Sequence, residues 1–210
     1  AIQDNFFTVV PPFNSMLAVR RDGEVNILTW TDDGQLQRAD RVTGPWQTLA
    51  AARSPWTVQS PVPVSFYQVK GTRPVKLYVP SSYDSRTNMP LVIMLHGLFN
   101  NGATYESYVH FQPLAEARGF LYCYPDGTRD RFGNLYWNGT DGCCDVYNNE
   151  ADDAGYLEGL IEEIGQRFAV DRKRVHLFGF WMGGYMAYRM ACQSADRIAS
   201  IVALSGTTFL

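Results

Sequence analysis

The 210 residues carry 46% hydrophobic and 19% charged side chains and a net charge of −3. That balance supports a buried core and excludes a chain too polar to fold. It also excludes a basic nucleic-acid-binding surface and a polybasic membrane anchor, since no block of like charge occurs. No apolar run approaches the ~18 residues of a membrane-spanning helix; the longest, 91–95, has the length of a buried strand. The chain opens at Ala1 without a methionine or an apolar leader, as either a processed or a trimmed protein would.

Residues 1–70 read as a small antiparallel β-sandwich. Turn signals recur at Arg21-Asp22-Gly23, Asp32-Asp33-Gly34, Thr43-Gly44-Pro45 and Ser60-Pro61. Between them lie short Val-, Thr- and aromatic-rich runs, which predict strands over 15–19, 25–30, 46–49, 56–58 and 65–69. This segment has no His or Cys and therefore no catalytic constellation. Trp30, Trp46 and Trp56 are candidates for a carbohydrate- or polymer-binding face, against the alternative that they pack the core.

Residues 71–210 change to alternating strands and helices, the pattern of a doubly wound α/β sheet. Strands are predicted over 75–79, 91–95, 120–124, 175–180 and 198–204. The run at 91–95 is apolar throughout, as a strand buried on both faces requires. Helices are predicted over 105–118, 152–168 and 183–192, the second opened by Asp152-Asp153, whose charge suits the N-terminal dipole. A Gly/Asn/Asp-rich loop spans 128–149. The four cysteines, Cys123, Cys143, Cys144 and Cys192, match no metal or redox spacing. Adjacent Cys143 and Cys144 make a strained pair. In an exported protein one of them pairs with Cys123 or Cys192; the alternative is four buried thiols.

The chemistry-bearing stretch is Gly179-Phe180-Trp181-Met182-Gly183-Gly184, directly after a predicted strand and before a predicted helix. A nucleophile elbow needs small residues two positions either side of its apex, so that strand and helix can pass closely. Gly179 and Gly183 meet that need. A second element, Leu95-His96-Gly97-Leu98, follows the buried strand where such enzymes place an oxyanion-hole amide. By position the two donors are the backbone N–H groups of Leu98 and Met182. His96, His110 and His176 read as structural.

The second half resembles the polyhydroxybutyrate depolymerase and feruloyl esterase group of α/β-hydrolases. The resemblance rests on Leu95-His96-Gly97, Tyr124-Pro125-Asp126-Gly127, Trp137-Asn138 with Gly142-Cys143-Cys144, Asp152-Asp153 with Gly155-Tyr156-Leu157, and Gly183-Gly184-Tyr185-Met186-Ala187, in that order. The first half resembles the fibronectin- or immunoglobulin-like modules of secreted enzymes. The resemblance implies a secreted or periplasmic carboxylic ester hydrolase with no metal or cofactor. It implies an ester-bearing polysaccharide, a polyester or a small aryl ester as substrate. Within the long loop, Trp137 and Tyr136 are the candidates for stacking on an aromatic acyl group; packing inside the loop is the equal alternative. Asn138-Gly139-Thr140 matches a glycosylation sequon.

Two departures stand out. The position expected to hold serine is Trp181, whose indole has one N–H donor and no usable nucleophilic lone pair. The triad acid and histidine, in the chain order of this fold, follow later strands, so no residue up to Leu210 takes either role. Ser205 reads as a structural hydroxyl. The expectation is therefore an α/β-hydrolase sheet with its C-terminal part missing. The chain is inactive as written, and a second chain is one way to complete the sheet. The alternative is a catalytically silent polysaccharide- or polyester-binding domain.

Overall fold

The computed structural model describes residues 5–9, 12–15, 17–22, 25–30, 34–40, 45, 47–59, 66–140 and 151–207. The elements are β1 (Phe6–Val9), β2 (Pro12–Ser15), β3 (Ala18–Asp22), β4 (Val25–Thr29), β5 (Gln35–Ala39), β6 (Gln47–Thr48), β7 (Trp56–Gln59), β8 (Phe66–Thr72), β9 (Val75–Tyr78) and β10 (Met89–Leu95). They continue with α1 (Gly102–Val109), α2 (Phe111–Arg118), β11 (Leu121–Cys123), β12 (Thr128–Arg129), β13 (Leu135–Tyr136), α3 (Asp153–Arg167), β14 (Val170–Phe180), α4 (Met182–Gln193) and β15 (Ser200–Leu204).

The N-terminal strands form two antiparallel sheets, ordered β2-β8-β5-β6 and β3-β4-β7. Leu28, Trp30 and Val58 join Leu36 of the other sheet in one small core. Trp30 belongs to that core, and its indole N–H donates to the Gly34 carbonyl at 3.0 Å. Trp56 packs against the same cluster. Trp30 therefore offers no binding face, and Trp46 lies outside the described residues. The strand β5 was not expected: Gln35-Leu36-Gln37-Arg38-Ala39 has no β-branched residue, and pairing to β8 and β6 on either side makes it a strand. The strand β1 lies within residues 1–70 yet pairs antiparallel with β9, placing Phe6–Val9 on the larger sheet.

That larger sheet runs β1-β9-β11-β10-β14-β15. Strands β11, β10, β14 and β15 are parallel, and β1 and β9 form its antiparallel side. Side chains of β10 alternate between two cores. Leu91, Ile93 and Leu95 meet α3 and α4, through Leu157, Leu160, Ile164, Met186 and Met190. Met94 meets Tyr122, Ala115 and the aromatic residues of α1 and α2 on the other face. This two-sided burial is the reason 91–95 carries no polar residue. The last described strand, β15, lies at the end of the sheet, and Val202 and Leu204 are about half exposed there.

The single helix expected over 105–118 is two helices. His110 adopts the left-handed conformation (φ 52°, ψ 47°) between them. The Glu106 carboxylate then accepts the Phe111 and Gln112 amides at 3.3 and 2.9 Å, capping α2 from outside. The Tyr122 hydroxyl donates to the same carboxylate. Pro113 falls in the first turn of α2, where its missing N–H is tolerated; mid-helix it would have broken the ladder. The strand expected over 175–180 begins earlier, at Val170, because an exposed extension precedes it.

Candidate active site

The pairing of β10 with β14 puts Leu95 beside Gly179 on adjacent parallel strands. The chain therefore leaves both strands at one edge of the sheet, and His96-Gly97-Leu98 lies next to Phe180-Trp181-Met182. A Cβ added at Gly97 would stand 3.1 Å from the Phe180 ring, so the two segments touch.

Trp181 is the apex of a strand-to-helix corner. It has φ 48° and ψ −110°, and α4 starts at the next residue. Its N–H donates to the Leu204 carbonyl at 2.7 Å, and its own carbonyl accepts from the Tyr185 amide at 3.1 Å. A non-glycine residue held in this sparsely populated region costs about 1–3 kcal/mol, which the surrounding fold must supply. Two glycines permit the corner. A Cβ at Gly179 would come within 2.1 Å of the Gly183 carbonyl, and a Cβ at Gly183 within 2.1 Å of the Leu95 carbonyl. The indole itself is 42% exposed rather than buried in the core. It supplies no nucleophile, and no neighbouring base can make it one.

Among the described residues, neither the Leu98 nor the Met182 N–H meets an acceptor. The Met182 amide belongs to the first turn of α4, where backbone donors have no intrahelical partner and the helix dipole favours negative charge. The Leu98 side chain is part-buried and the Met182 side chain buried, so both residues are anchored through packing. Both amides lie beside the strand-to-helix corner.

His96 is fully buried and cannot act as a base here. The Gly127 N–H donates to its Nε2 at 3.0 Å, so Nε2 is an acceptor and the proton resides on Nδ1. Nδ1–H then donates to the Gly97 carbonyl at 2.7 Å. Burial holds its pKa below the ordinary histidine value, against weaker opposing effects of the Gly97 carbonyl and the Asp126 and Asp153 carboxylates. The ring thus fastens the Gly97 loop to Gly127. His110 occupies the α1–α2 junction, and His176 bonds Ser200 Oγ across β14 and β15 at 2.8 Å. Ser205 is exposed, with φ 57°, beyond β15.

The family model for esterase PHB depolymerase matches residues 74–210, well over half of the chain. The chain belongs to the esterase PHB depolymerase family. A bifunctional acetylxylan esterase/xylanase of Neocallimastix patriciarum is 31% identical over 134 residues, 64% of this chain and 18% of that protein. Feruloyl esterase B of Piromyces equi is 32% identical over 128 residues, 61% of this chain and 23% of that protein. The chain spans only a minor part of the length of these two relatives. Among solved structures, an acetyl xylan esterase from Aspergillus awamori superposes with a TM-score of 0.52 at 20% identity, covering 64% of this chain and 47% of that one. An S-formylglutathione hydrolase from Agrobacterium tumefaciens gives 0.52 at 22%, covering 64% and 53%. These likenesses are of fold, an α/β-hydrolase sheet with extra N-terminal strands.

In this member of the esterase PHB depolymerase family, the two residues expected to stack on an acyl group are buried. Trp137 is fully buried, and Tyr136 nearly so, as part of β13. The Trp137 ring packs 5.4 Å from His96. The Asn138 side-chain amide donates to the Ala151 carbonyl at 3.0 Å. Cys143 and Cys144 lie outside the described residues; Cys123 is a free buried thiol and Cys192 a free exposed one, so neither is bridged and the four are not all buried. Burial raises the Cys123 thiol pKa well above its usual value. No cluster of metal-ligating side chains occurs among the described residues, and no helix there is long and apolar enough to cross a membrane.

Asp153 is the residue whose role the sequence hid. Reading Asp152-Asp153 as a dipole complement assigns both the same job. In the fold Asp152 is the N-cap, accepting from the Gly155 amide at 2.9 Å, while Asp153 is fully buried and paired with Arg73 at 2.7 Å. Only one of two adjacent residues can be a cap, which separates the two aspartates but does not name the partners of the second.

Proposed function

We propose that this chain carries the ester-recognition half of a carboxylic ester hydrolase of the feruloyl esterase or polyester depolymerase type, with Trp181 in the nucleophile's position. The observation that carries this reading is the backbone of Trp181, φ 48° and ψ −110° between β14 and α4, beside the amides of Leu98 and Met182, which meet no acceptor among the described residues. A strained apex is retained although the side chain there can form no acyl-enzyme. Loss of the nucleophile removes about 10⁶ of the rate in a serine hydrolase, so the chain as written is silent. Its substrate class is an ester-bearing polysaccharide, a polyester or a small aryl ester, met outside the cytoplasm, in the medium or the periplasm. The strands over 12–72 serve it as an accessory module of fibronectin- or immunoglobulin-like type. The open side of β15, with Val202 and Leu204, accepts a further strand, which a second chain can supply.

The test is Trp181→Ser in the full-length gene product, assayed with p-nitrophenyl acetate and methyl ferulate. Turnover that a Trp181→Ala variant lacks is the expected result. A folded Trp181→Ser protein without turnover on either ester refutes the reading. The half-exposed indole favours a second reading, a polymer-binding domain without turnover. Retention on insoluble xylan or polyester that Trp181→Ala abolishes is its signature.

A further inference from the structure

Asp153 opens α3 as a buried carboxylate with partners on three separate segments. Its Oδ1 accepts from the Arg73 guanidinium at 2.7 Å and from the Thr128 hydroxyl at 2.8 Å. Its Oδ2 accepts from the Asn138 N–H at 2.8 Å. Arg73, between β8 and β9, lies with its guanidinium 3.8 Å from the centre of the Tyr156 ring, and the Tyr156 hydroxyl donates to the Arg73 carbonyl at 3.2 Å. The cation is therefore fixed by α3 on two sides.

Each of the other two partners leads to one wall of the candidate site. Thr128 follows Gly127, whose N–H holds Nε2 of His96, which in turn holds the Gly97 carbonyl. Gly127 packs closely here: a Cβ there would stand 2.1 Å from the Tyr136 carbonyl. On the other side, the Asn138 carbonyl accepts from Arg189 of α4 at 2.7 Å. Gly139 packs against Tyr185 so closely that a Cβ would lie 2.7 Å from the Tyr185 Cβ. One carboxylate thus links the loop that presents the Leu98 amide to the helix that presents the Met182 amide.

We propose that Asp153 is a positioning residue that holds the His96-Gly97 loop in register with the Trp181 corner, through Thr128–Gly127–His96 on one arm and Asn138–Arg189 on the other. The value of that register rests on the ester-recognition reading above; the connection itself does not. A mispositioning of about 1 Å can cost on the order of 10²-fold in rate, so such a link matters wherever two amides must converge on one oxygen.

The experiment compares Asp153→Asn with Leu160→Ala, a core substitution on the same helix whose side chain makes no hydrogen bond to either arm, in the 210-residue chain. The readouts are the ring ¹⁵N signals of His96 and residue-resolved amide exchange. Asp153→Asn is expected to move His96 from the pure Nδ1–H form toward a mixture with Nε2–H. It is also expected to speed exchange at Gly127 and Asn138 about tenfold or more, with β10 and β14 amides unchanged. Leu160→Ala is expected to lower stability and leave the His96 signals in place. Should Asp153→Asn fail to fold, Thr128→Val removes one hydroxyl only and is read at His96 and Gly127. Unchanged His96 and Gly127 signals, or a loss of protection spread over β10 and β14 as in Leu160→Ala, overturn the proposal. This arm needs no turnover, so it stands or falls apart from the ester reading. In a Trp181→Ser protein that turns over, adding Asp153→Asn is expected to lower kcat about 10–100-fold with KM within about twofold; equal kcat overturns the positioning role alone.

Discussion

Gly183→Ala is the sharpest probe of how closely α4 is seated on the central strand. The added methyl would stand 2.1 Å from the Leu95 carbonyl oxygen, 2.5 Å from its carbon and 2.8 Å from the Leu95 Cβ. Ordinary contact is about 3.5–4.0 Å, so over an ångström of separation must be found. Neither side can yield cheaply. Leu95 belongs to a strand paired on both edges, and α4 is tied at its start by the Trp181–Leu204 and Tyr185–Trp181 hydrogen bonds. Overpacking a core costs about 1–3 kcal/mol when side chains can adjust; here the obstacle is backbone, and the upper end applies. Helix propensity favours Ala over Gly by at most about 1 kcal/mol. The net expectation is a loss of about 2 kcal/mol, or roughly 4–8 °C in Tm for a chain of this size. Gly165→Ala in α3 is the matched control. Its Cβ would meet only the Arg172 side chain, at 3.5 Å, so the same change should raise Tm by roughly 2–4 °C. Thermal unfolding followed by circular dichroism reads both. If Gly183→Ala is neutral or stabilising like Gly165→Ala, the close seating of the helix on β10 is wrong.

Two further outcomes follow from buried polar groups. The His96 ring has its pKa held below the unfolded value of about 6.5, chiefly by burial. Below that pH the unfolded chain takes up a proton that the folded one resists, so this contribution is complete above about pH 6.5 and is lost as pH falls toward the folded pKa. A Tm–pH series for His96→Gln should be flatter than wild type below pH 6.5, and parallel curves would rule the assignment out. Glu106→Ala strips the Phe111 and Gln112 amides and the Tyr122 hydroxyl of their acceptor. It should cost about 2–3 kcal/mol in denaturant unfolding, part of which a second change, Tyr122→Phe, restores. An additive double variant would show that no such shared acceptor exists.

The sequence by itself determined the strand-corner-helix at 175–192 and the apolar central strand at 91–95. Both are legible because their causes are local: glycines at fixed offsets from an apex, and a run with no polar residue. It determined the identity at the apex as well, where an indole cannot itself form an acyl-enzyme whatever surrounds it. The break at His110 was decided only by tertiary structure, through a carboxylate that two segments and Tyr122 share. So was the burial of Tyr136 and Trp137, in a Gly/Asn/Asp-rich loop where stacking and packing read as equal alternatives. Asp153 makes the same point at the candidate site: beside Asp152 it looks like a helix-dipole charge, and only folding brings Arg73, Thr128 and Asn138 to it. Such roles depend on partners 15 to 80 positions away in the chain, a separation at which neither spacing nor composition carries a signal.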